Sequence, residues 1–103
     1  MSWWINVEPR EQTAETFEGN LTYNVGLMLR RAGIHPHILE GQMVKVVRPV
    51  IENAYMTMFE NPDYFRQFEA SNGWGTYEST MKFVSNLNVY LASAPDDYVM
   101  RWH

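Results

Sequence analysis

The chain has no cysteine, which excludes disulfides, thiolate metal sites and cysteine nucleophiles. It is short of positive charge. Eight lysines and arginines stand against 12 aspartates and glutamates, a formal net charge of −4, so direct nucleic-acid binding through phosphate neutralisation is not expected. No apolar run reaches the roughly 18 residues of a membrane helix, and Met1-Ser2-Trp3-Trp4-Ile5-Asn6 lacks the basic region and apolar run of a signal peptide. A soluble, cytoplasmic protein without a membrane partner is the expectation. Phosphate-binding loops, dinucleotide fingerprints, a Gly-x-Ser-x-Gly elbow and a His-Glu-x-x-His pair are also missing. What remains is apolar and aromatic: 46% hydrophobic and 15% aromatic residues are too many for a disordered tail. A chain of 103 residues makes one globular domain, 1–103.

Two segments alternate with period two. Trp3, Ile5 and Val7 share one face near the start, and Tyr98, Met100 and Trp102 share one near the end. An isolated strand is unstable in water, so the two are expected to pair in a two-stranded sheet. Arg10 to Gly19 reads as a loop.

Between the strands the period becomes helical. Asn20 suits an N-cap, Leu21, Val25, Met28 and Ala32 follow one stripe, and Gly33 suits the residue after the last turn. A first helix is predicted there, with Asn24 as an alternative start. Met43, Val47, Val50, Ala54 and Met58 mark a second helix over about 41–60, kinked at Pro49. Gln42 to Arg48 alone would also fit a strand, but the longer stripe favours the helix. Asn61-Pro62-Asp63 supplies a cap, a proline and an acid for a short helix carrying Tyr64, Phe65 and Phe68. Thr76 caps a last helix to about Ala94. The predicted fold is α+β: a small, mainly helical domain of three to four helices with a two-stranded sheet joining its ends.

Three polar segments are candidates for chemistry. Gly19 to Asn24 crowds Asn20, Thr22, Tyr23 and Asn24 onto a helix start, which fits either capping or a polar ligand. Ser71 to Glu78 sets Asn72, Trp74, Tyr77 and Glu78 around two glycines, with Trp74 as a core plug or an aromatic platform. His35-Pro36-His37 with Glu40 has metal-binding residue types, but nothing fixes their geometry, so a solvated loop with no metal is expected. No cofactor is expected.

Asn20-Leu21-Thr22-Tyr23-Asn24-Val25, then Asn61-Pro62-Asp63-Tyr64, then Asn72-Gly73-Trp74-Gly75-Thr76-Tyr77-Glu78, in that order and spacing, resembles a group of small uncharacterised proteins of bacteriophages and some bacterial genomes. The resemblance covers Asn20 to Leu91. It implies a bacteriophage accessory protein of host takeover or counter-defence, acting in the host cytoplasm, and implies no particular chemistry.

Three functional readings follow. The first is a non-enzymatic binding module in which Asn20, Thr22, Asn24 and Asn72 give polar contacts and Tyr23, Trp74 and Tyr77 give aromatic walls. Glu78 joins the rim, and Arg30 or Arg31 meets a small anionic ligand such as a nucleotide. The second is a protein-interaction module that binds a host protein or forms a homodimer through the edges of the terminal strands. The third is an enzyme using Glu78 or the His35/His37 pair as base, with no identifiable nucleophile. The binding-site reading requires Asn20–Asn24 and Asn72–Glu78 to be neighbours in space.

Overall fold

The computed structural model describes residues 2–9, 17–69, 73 and 75–103. Strand β1 (Ser2–Glu8) lies in the middle of an antiparallel sheet, between β2 (Phe17–Thr22) and β3 (Val99–Trp102). Ile5 pairs with Gly19 on one side and with Trp102 on the other. The expected pairing of the two ends is present. Its alternation turns Ile5, Val7, Met100 and Trp102 inward, where all four are buried.

Among the described residues the sheet has three strands, not two. β2 covers a stretch read from sequence as loop and helix start, because Gly19 and Asn20 are poor strand formers. Tertiary contacts override that weakness. Leu21 is buried, and the Asn20 amide donates to the Trp3 carbonyl (2.9 Å) and the Ser2 hydroxyl (3.0 Å). Gly19 is required for another reason: a β-carbon there would stand 2.6 Å from Phe83 Cε2, so the Phe83 ring rests on bare backbone.

The outer edge of β3 is also taken. Gly41 N–H donates to the Met100 carbonyl (2.8 Å), Met100 N–H to the Gln42 carbonyl (2.9 Å), and Trp102 N–H to Glu40 Oε1 (3.2 Å). With β1 central and β3 flanked in this way, the terminal strands do not offer the docking edges expected of them.

The helices pack against one face of the sheet. The chain leaves β2 through a 3-10 turn, Tyr23–Val25, where Thr22 Oγ1 accepts from Asn24 N–H (3.3 Å). Helix α1 then runs over Gly26–Ala32 and closes on Gly33 in the left-handed conformation. It begins later than Asn20 because that residue belongs to the strand. Helix α2 (Pro36–Leu39) replaces the expected loop: Pro36 starts it, and Leu39 is buried beneath it.

Helix α3 (Val44–Glu60) contains Pro49, as the apolar stripe predicts. Short α4 (Pro62–Arg66) follows, and α5 (Tyr77–Ser93) starts at the Thr76 cap, whose hydroxyl accepts from Ser79 N–H (3.1 Å). Among the described residues five α-helices therefore stand where three to four were expected. Asn61 does not cap α4 with its side chain. Its amide reaches back to the Thr57 carbonyl (2.9 Å) instead.

Helices α3 and α5 run antiparallel and are tied at both ends. Tyr77 O–H donates to the Met58 carbonyl (2.7 Å). At the other end Arg48 donates to the carbonyls of Leu91 and Ala94 and to Asp96 Oδ1, each at 2.7 Å. One planar guanidinium thus satisfies carbonyls that the end of α5 leaves unpaired.

Candidate functional site

The sequence places two polar segments about fifty residues apart, and the fold brings their described parts together. A β-carbon at Gly75 would stand 2.6 Å from Val25 Cγ1, 3.1 Å from Thr22 Cγ2 and 3.6 Å from Asn24 Cβ. With φ at +89°, Gly75 holds a backbone shape that other residues rarely adopt. Asn72 and Trp74 lie outside the described residues.

At the first segment Asn20 is occupied by its contacts with β1. Thr22 and Asn24 face the Gly75 junction, and Asn24 is exposed. The Tyr23 ring lies 4.7 Å from the Trp3 ring at a tilt of 52° and is itself exposed. Arg30 and Arg31 separate here. Arg31 extends over the Phe68 ring, 5.7 Å from its centroid. Arg30 folds back along α1: its Nη1 lies 3.2 Å, and Trp3 Cη2 3.4 Å, from where a β-carbon on Gly26 would be. Gly26 thereby admits both the guanidinium and the indole edge against the helix start.

The second segment satisfies much of itself. Glu69 Oε2 accepts from Tyr77 N–H (2.6 Å) and the Thr76 hydroxyl from Ser79 N–H, so the start of α5 already has a carboxylate and a cap. Glu78 Oε1 accepts from Arg66 Nη2 at 3.0 Å. The Glu78 carboxyl is held below the ordinary carboxylate range by a hydrogen bond to its own backbone and by Arg66, which makes it a weak base. Burial pushes the Tyr77 phenol up, and the Arg66 guanidinium lies 4.8 Å from its ring centroid. His35 is the N-cap of α2 and His37 lies within its single turn. Among the described residues no group of three or more histidines or acids could hold a metal ion.

Two hollows bring in residues that sequence reasoning did not single out. One, of about 270 Å³, lies on the outer sheet face between Trp4, Asn6, Glu18 and His103. The other is an open groove of about 430 Å³ between α3 and α5, lined by Tyr55, Phe59, Tyr77, Met81 and Lys82 with Glu78 and Ser85. Phe59 stacks on Tyr55 at 6.0 Å and is 62% exposed. Its position, one residue beyond the core residue Met58 and beside Glu60 on the polar side of the helix, is a signal readable from sequence.

No family model matches the chain, and neither a curated protein nor a solved structure matches it. Among the described residues no helix is long and apolar enough to cross a membrane.

Proposed function

We propose that the protein is a small non-enzymatic binding module, acting as a bacteriophage accessory protein of host takeover or counter-defence. Its ligand is small and anionic, such as a nucleotide, and is held where the Thr22–Asn24 turn meets Gly75. Arg30 carries this reading. Its guanidinium lies at the helix start beside Trp3, and no carboxylate pairs with it among the described residues. A planar, permanently charged donor in such a place suits a phosphate or carboxylate, which it engages through two parallel hydrogen bonds.

The neighbouring groups suit the rest of a nucleotide. Exposed Tyr23, braced by Trp3, offers an aromatic face for a base, and Asn24 offers an amide. Arg31 and Glu78 already have other contacts and take a lesser part. The phage role rests on the sequence resemblance.

The test is calorimetric titration with a panel of nucleoside mono-, di- and triphosphates, beside mass spectrometry of small molecules co-purified from host lysate. A nucleotide bound by the wild type should be lost from Arg30→Ala and weakened in Asn24→Ala, both with unchanged melting temperature because both side chains are exposed. Binding indifferent to Arg30→Ala, or a panel without a binder, removes the reading.

A further inference from the structure

Independently of Arg30, the outward face of α3 and α5 carries an apolar groove and two charges that have no ion pair among the described residues. We propose that this face is a docking surface for a second copy of the chain, forming a two-fold dimer with α3 of each protomer on α5 of its partner.

The face is self-complementary in shape. The groove of about 430 Å³ is open, and Phe59 stands at its mouth with 62% of its surface exposed. A projecting ring and a groove able to take a ring lie on one face, which is what a self-complementary interface requires. Because the helices are antiparallel, a two-fold axis along the groove lays the α5 rim of one copy on the α3 rim of the other at the same height. Each Phe59 then seats against Met81 and the Lys82 stem of the opposite protomer.

The face is also self-complementary in charge. Lys82 lies on the α5 rim. Glu52 lies on the α3 rim, exposed and one turn before Tyr55 on the same helix face. Neither has an ion pair among the described residues. The same two-fold brings each Lys82 close to the other copy's Glu52, twice per dimer, so the charges that are unpaired in one copy are complementary in two. Glu78, by contrast, is already neutralised by Arg66 and adds no repulsion.

Area agrees with this. Both helices have 17 residues, so each is about 25 Å long. Side by side they present a flat footprint of roughly 500 Å² per protomer, about 1,000 Å² over the pair before projecting side chains add to it, which is at the lower limit of a specific interface. Exposed Met56 and Val89 extend the apolar contact beyond the groove.

Sedimentation velocity over a concentration series of the full chain tests the proposal, with circular dichroism to verify folding. The wild type should be a dimer. Phe59→Asp should raise the dissociation constant by about thirtyfold or more, the scale of a buried aromatic anchor, without altering the fold, since the residue is exposed in the monomer. Lys82→Glu should weaken the dimer, and Lys82→Glu combined with Glu52→Lys should restore it. A wild type monomeric at every concentration, a dimer indifferent to Phe59→Asp, or a charge swap that restores nothing would each overturn the proposal.

Discussion

Gly75 and Val25 are in contact across the junction of the two polar segments: a β-carbon on the glycine would stand 2.6 Å from the valine Cγ1. Two separate constraints therefore act on residue 75, the positive φ and the absence of space. Gly75→Ala should cost about 2–4 kcal/mol, combining the left-handed strain with overpacking. Gly73 supplies the control, because it has a similar φ of +79° and, among the described residues, nothing within 4 Å of a β-carbon. Gly73→Ala should cost only about 1 kcal/mol, and chemical denaturation of the two variants measures the difference.

Arg48 should be the most sensitive charged position. Arg48→Ala removes three hydrogen bonds at the end of α5 and should destabilise by about 1–3 kcal/mol. Arg48→Lys should recover only part of this, since an ammonium cannot span the three acceptors in one plane. Asp96 is largely exposed, so Asp96→Ala should cost less than about 1 kcal/mol. Denaturant midpoints of the three variants test this order.

Glu78 should make stability weakly dependent on acid. Its carboxyl is ionised more readily folded than unfolded. The contribution is therefore fully present above the ordinary carboxylate range and is lost as pH falls through the lowered folded value. Arg66, raised by the same contact, stays charged throughout. Glu78→Gln should melt below the wild type at neutral pH, and the two curves should converge in acid. Because the pair is exposed, added salt should shrink the gap. A gap that widens in acid would contradict the assignment.

Pro49 lies inside α3 on its exposed side and has no N–H to give the Lys45 carbonyl. Restoring that donor with Pro49→Ala should be neutral or should stabilise by up to about 2 kcal/mol, after the greater freedom of the unfolded chain is offset. A lower melting temperature would show that α3 uses the proline.

Much of this architecture is legible in the residues. The alternation of Trp3, Ile5 and Val7 with that of Tyr98, Met100 and Trp102 marks a paired β1 and β3, and the stripe through Met43 to Met58 carries a helix across a proline. β2 is hidden because Gly19 looks like a loop residue until Phe83 is seen lying on it. The approach of Thr22 and Asn24 to Gly75 is made by a methyl, a β-carbon and the Val25 side chain, so close packing on a glycine joins the two segments, which their polar residues do not signal. Arg30 is different. Its guanidinium and the Trp3 indole both approach Gly26, a non-local arrangement that spacing along the chain does not encode. The α3–α5 groove escapes a search for polar motifs because it is built from aromatic and aliphatic side chains.

The central place of β1 also bears on how fast the protein folds. Its hydrogen-bonded neighbour β3 follows it only after β2 and helices α1 to α5, so completing the sheet closes a loop that contains all of them. That closure gains nothing until Ile5 and Val7 meet Trp102 and Met100, whereas α3 and α5 form from local contacts. During synthesis β1 is made before β3, and its second ladder stays unformed until β3 emerges. A late arrival of β3 is the expectation from this topology, and substitutions along the β1–β3 ladder should slow folding only to the extent that this ladder exists in the transition state.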